Sequence, residues 1–162
     1  MTAVTDTTII SAATDNIVTV LRNNITDPVT SRTTKIANSQ FVLVKNSQRP
    51  LLYPCITVGV VNVTTGLHLG AQTEAYLFDL TVEIEVYSKK NVYVADNIAQ
   101  QVMDVIRLQN YGTGGFIANN LFQPQLLSIT PIVNEQNFGV GGVEMIHRRL
   151  LRYKFQYVTS GL

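Results

Sequence analysis

Tryptophan is absent from this chain, cysteine occurs once, at Cys55, and only 14% of the 162 residues are charged. A single cysteine excludes an intramolecular disulfide and any multi-cysteine zinc site. The two histidines, His68 and His147, stand far apart without ligand-like spacing. No apolar run approaches the length needed to span a bilayer, and MTAVTDTTIISAATDN lacks the basic and continuous apolar regions of a signal peptide. Synthesis in the cytosol and no membrane partner are the expectations. A formal net charge of +1 gives no bulk reason to expect nucleic acid or an acidic membrane as a ligand.

Apolar residues are plentiful by comparison. At 46% hydrophobic the chain is too apolar for a disordered protein, and its length suits one domain, residues 1–162, around one core. A mean hydropathy of +0.15 implies either a large core or apolar surface covered by partner subunits.

Periodicity divides the chain into elements. Ile9, Ile10, Ala13, Ile17, Val20, Leu21 and Ile25 recur at spacings of three and four, the stripe of an amphipathic helix, with Asp6 as N-cap and Asp27-Pro28 as stop. Residues 28–39 are polar and aperiodic and are expected to form an extended loop. Phe41 to Val44 and Cys55 to Val61 predict strands, the second following Pro54. Residues 62–75, with Gly66 and Gly70, predict a second excursion. The clearest strand follows: Tyr76, Phe78, Leu80, Val82, Ile84 and Val86 on one face, Asp79, Thr81, Glu83 and Glu85 on the other. Burying that apolar face contributes on the order of 10 kcal/mol before entropy is subtracted. A shift of one residue would turn the acids into the core, so the register is strongly specified.

Lys89, Lys90 and Asn91 break the alternation, and Val94, Ala95, Ile98, Val102, Met103 and Ile106 then mark a second amphipathic helix across the sheet. Gly112, Gly114 and Gly115 end it. Leu126 to Val133, bent at Pro131, and Met145 to Val158 predict two closing strands around a glycine-rich loop at 134–142. The order is that of an α+β fold, a mainly antiparallel sheet with two amphipathic helices packed on one face.

Candidate chemistry is sparse. The glycine runs at 112–115 and 139–142 are not followed by Lys-Ser/Thr and suit turns better than phosphate loops. Glu83 and Glu85 form a carboxylate pair without a third ligand. Cys55 lacks any feature that would lower its pKa, so a dyad with His147 gives way to a core cysteine. Arg148, Arg152 and Lys154 share one face of the last strand, a basic stripe suited to phosphates, an acidic partner or plain solvent. No triad, metal cluster or cofactor loop points to an enzyme, and no cofactor is expected.

The order of elements, with Tyr53-Pro54-Cys55-Ile56-Thr57-Val58, the strand Phe78 to Tyr87 and the helix run Ala95-Asp96-Asn97-Ile98-Ala99-Gln100-Gln101-Val102, resembles the tail terminator or tail-completion proteins of long-tailed bacteriophages. That resemblance implies a structural virion protein at the tail-neck junction, a ring usually of six subunits. Such a ring caps the head-proximal end of the tail tube, ends tail growth and joins the tail to the head connector. Its partners would be itself, the tail tube protein and the neck proteins, with DNA only passing through the channel. Asp79, Glu83 and Glu85 would then meet a neighbour or line the channel, with Arg148, Arg152 and Lys154 as counterpart, since a head-to-tail ring sets unlike patches together. The loops 28–39 and 62–75 would contact adjacent rings or subunits. Another neck or head-completion ring protein is the near alternative. A nucleic-acid-binding module, using Tyr153, Phe155 and Tyr157 beside the basic stripe, is the distant one.

Overall fold

The computed structural model describes residues 6–32, 34–68, 76–89, 91–111, 113–137 and 143–159. Helix α1 (Asp6–Asn24) is followed by strands β1 (Val42–Val44), β2 (Cys55–His68) and β3 (Tyr76–Lys89), helix α2 (Val92–Leu108), a 3-10 turn at Ile117–Asn119, and strands β4 (Leu121–Asn137) and β5 (Val143–Val158). The five strands form one sheet in the order β1-β2-β3-β5-β4. β1 runs parallel to β2, and every other neighbouring pair is antiparallel. This is the α+β class expected from the order of periodic segments.

The helical stripe of α1 is buried as its spacing requires, with Ile9, Ala13, Ile17, Val20 and Leu21 almost inaccessible. Its end is closed from a distance: the Asn38 side-chain amide donates to the carbonyls of Arg22 and Ile25, both at 2.7 Å. These are C-terminal carbonyls that a helix cannot satisfy itself. Asn38 has φ 60°, a left-handed conformation that asparagine tolerates better than other side chains. The described part of the loop 28–39 is thereby tied to its own chain, helped by Arg32, which donates to the Pro54 carbonyl at 3.0 Å and lies 3.5 Å from Asp27.

In β3, Phe78, Leu80, Val82, Ile84 and Val86 are buried in one cluster with side chains from both helices and every other strand. Tyr76, the sixth residue of that face, is 46% exposed. α2 begins earlier than its apolar spacing predicts. The Asn91 carboxamide oxygen accepts from the Tyr93 amide at 2.9 Å, an N-cap that starts the helix two residues after β3 ends.

Two expected loop stretches are strand. β2 continues through Asn62 to His68, passing irregularities after Val60 and Thr65, so only 69–75 of the expected excursion remains, outside the described residues. β4 extends to Leu121 and Asn137 and carries Pro131 opposite Arg149 without interruption. β4 is a sheet edge, where a missing N–H on the open side costs no ladder bond. Of the expected loop 134–142, residues 138–142 lie outside the described residues. Among the described residues no helix is long and apolar enough to cross a membrane.

Candidate functional site

The register of β3 against β5 sets Thr81 opposite Lys154, Glu83 opposite Arg152 and Tyr87 opposite Arg148. Cross-strand partners share a face, so Asp79, Glu83, Glu85, Arg148, Arg152 and Lys154 all lie on the sheet face turned away from Leu80, Val82 and Ile84. There they pair within the chain. Arg152 donates to Glu83 Oε1 through Nε and Nη2, at 3.2 and 2.7 Å. Lys154 Nζ stands 3.0 Å from Asp79, and Arg148 Nε 2.8 Å from Glu85. Acidic and basic stripes that are separate in the sequence are thus interleaved in space, and each acid already has an intramolecular cation. The Asp79, Arg152 and Lys154 side chains remain 40 to 46% exposed, so these are the members that another molecule can reach.

The centre of the cluster depends on two residues that the sequence did not single out, Lys45 and Gly59. Lys45, just past β1, bonds to Glu83 and lies 2.7 Å from Glu85. To do so it crosses β2 above Gly59, where an added Cβ would sit 2.8 Å from the Lys45 Cβ. Only glycine leaves that path open. The available signal was Gly59 itself, since glycine inside a strand marks a close approach.

Glu85 is 2% exposed. Burial alone would raise its pKa, but Lys45, the Tyr87 hydroxyl and Arg148 outweigh that and hold it below the ordinary carboxylate range. Arg148 acts on Glu85 through its charge, its Nε lacking hydrogen-bond alignment. Glu83 is also held low, first by its bond to Lys45 and then, against burial, by Arg152. Lys45 in turn is raised: the two carboxylates overcome its own desolvation. Tyr87 donates to Glu85, and its phenol is pushed up by burial and by that carboxylate. Such mutually paired ions hold the sheet in register.

The remaining candidates resolve through geometry. Cys55 pairs with Tyr87, which pairs with Arg148, while His147 lies one residue on. Strand alternation therefore puts Cys55 and His147 on opposite faces of the sheet. The Cys55 thiol is inaccessible and is pushed up to about 12 by burial. Tyr153, Phe155 and Tyr157 are buried in the core and present no ring to a base. Among the described residues no three His, Cys, Asp or Glu side chains converge to hold a metal ion.

A second surface stands out at β4. Leu126 pairs with Tyr153, Ile129 with Leu151 and Val133 with His147, which places these three on the core side of the sheet. They are nevertheless 40 to 50% exposed, because this edge lies beyond the helices' cover. Leu127, at a bulge between Leu126 and Ser128, is 49% exposed as well, and Met145 on β5 adds to the uncovered apolar side chains. The chain matches no family model, and no curated protein is significantly similar to it in sequence.

Proposed function

We propose that the protein is a non-enzymatic structural subunit of a bacteriophage virion. In this reading it forms a ring, of about six copies by the resemblance, that caps the head-proximal end of the tail tube, ends tail growth and joins the tail to the head connector. The observation that carries the reading is β4, a 17-residue edge strand with uncovered apolar side chains. An exposed apolar edge of that length invites pairing with another chain. The opposite side of the sheet offers an unlike edge: β1 covers only Ile56–Val58 of β2, and Val61 beyond it is 47% exposed. Contacts between unlike edges are head-to-tail and close into rings when the rotation permits. The reachable charges Asp79, Arg152 and Lys154 would flank such a contact or face the channel through which DNA passes.

Negative-stain imaging of the purified protein tests this directly. Annular particles with a central channel are the expected result, and small featureless particles at every concentration would contradict it.

A further inference from the structure

Among the described residues, Arg22, Lys35 and Arg49 are the lysines and arginines that make no ion pair, whereas Arg32, Lys45, Lys89, Arg107, Arg148, Arg149, Arg152 and Lys154 each have a carboxylate within reach. All three unpaired cations line the same cavity, of about 360 Å³, between the last turn of α1 and the loops on either side of β1. No acidic residue lines it, and the hydroxyl-bearing Ser39 and Ser47 do. Positive charge without a counterion is therefore concentrated at one place in a chain whose net charge is only +1.

The fold builds this arrangement. Arg22 is anchored, donating from Nε and Nη2 to the Val42 carbonyl at 3.0 and 2.8 Å. Asn38 ties the loop carrying Lys35 and Ser39 to the end of α1. The Arg22 guanidinium is held below its usual range by burial and then by the like charge of Arg49, with Asp15 opposing. Two guanidiniums held close without an acid between them favour any anion that enters.

The surroundings select the kind of anion. Leu43 and Arg49 also line a neighbouring cavity of about 260 Å³ with Pro50 and Leu52, so an apolar slot adjoins the cationic one. No aromatic side chain lines either cavity, and stacking on rings is what a single-strand nucleic-acid site ordinarily supplies. We propose that this groove is a docking site for a short acidic segment of a partner protein, its carboxylates on Arg22, Lys35 and Arg49 and an apolar side chain over Leu43, Pro50 and Leu52. The site lies on β1, at the opposite end of the strand order from β4, and it does not depend on ring formation.

The test is fluorescence anisotropy on the intact chain with a labelled octapeptide of alternating glutamate and leucine. A glutamine-leucine peptide and a labelled thymidine 12-mer serve as controls. Lys35 and Arg49 are exposed, so their reversal spares the core. The expected result is binding by the glutamate peptide alone, weakened roughly tenfold by Arg49→Glu and again by Lys35→Glu, and weakened by salt. Equal binding of the glutamate and glutamine peptides would overturn the proposal. So would unchanged binding by Arg49→Glu, or tighter binding of the oligonucleotide that Arg49→Glu abolishes.

Discussion

β3 and β4 flank the same strand, β5, and both are rich in apolar residues, yet they meet opposite fates. In β3 the apolar face is sealed in a core shared with both helices, and much of the polar face is consumed by ion pairs. In β4 most residues on both faces remain exposed, apolar ones included. Burial here is set by position in the sheet order rather than by strand composition. β3 is central and stabilises the fold, while β4 is an edge whose apolar side chains stay uncovered within the chain.

Truncating one leucine on each strand separates the two most sharply. Leu80→Ala opens a cavity in the core and is expected to cost about 3 kcal/mol in urea unfolding, whereas Leu127→Ala should cost less than about 1 kcal/mol. Equal losses would mean that β4 is covered in the free subunit after all. Glu85→Gln should come close behind the core cavity. It removes the acid shared by Lys45 and Arg148, a change expected to cost about 3 kcal/mol. Gly59→Ala drives a Cβ against Lys45 and is expected to cost about 1 to 2 kcal/mol, read from the same unfolding curves. Combining it with Lys45→Gly, which removes the opposing Cβ as well as the ion pairs, should then cost less than the sum.

The charged face also sets the pH range. Glu83 and Glu85 titrate in the folded protein below their ordinary value of 4.5, so the unfolded chain binds more protons in that interval and stability rises with pH. The contribution is therefore complete above the ordinary carboxylate range and is lost as pH falls through the folded values. Lys45 is raised above its ordinary 10.5. Its contribution is present below that pH and is lost as pH rises through the folded value. Thermal unfolding across pH should show both limbs, and Glu85→Gln should flatten the acid one. The smallest stability effect belongs to Ile129→Lys on the exposed edge, within about 0.5 kcal/mol of the parent, while its effect on assembly should be the largest of all.

Much of the fold was legible because its central elements carry strong local periods. The spacing of Ile9, Ala13 and Ile17 and the alternation from Phe78 to Val86 each correspond to buried faces. The ends of β2 and β4 were not legible: Asn62 to His68 holds two threonines and a glycine among few apolar residues, and β4 exposes both faces, so neither shows an alternation. The pairing of Glu83 with Arg152 spans 69 residues and depends on register between distant strands, which no local pattern contains. Lys45 was hidden for the same reason, its partners lying 38 residues or more ahead.

The most direct test of the central claim is the solution mass by light scattering across a concentration series, with Ile129→Lys alongside. A mass near six times the 17.9 kDa chain, falling toward one chain in the variant, is the predicted result. A single-chain mass for the parent at every concentration, or a mass that Ile129→Lys leaves unchanged, would contradict the assignment of β4 as the subunit interface.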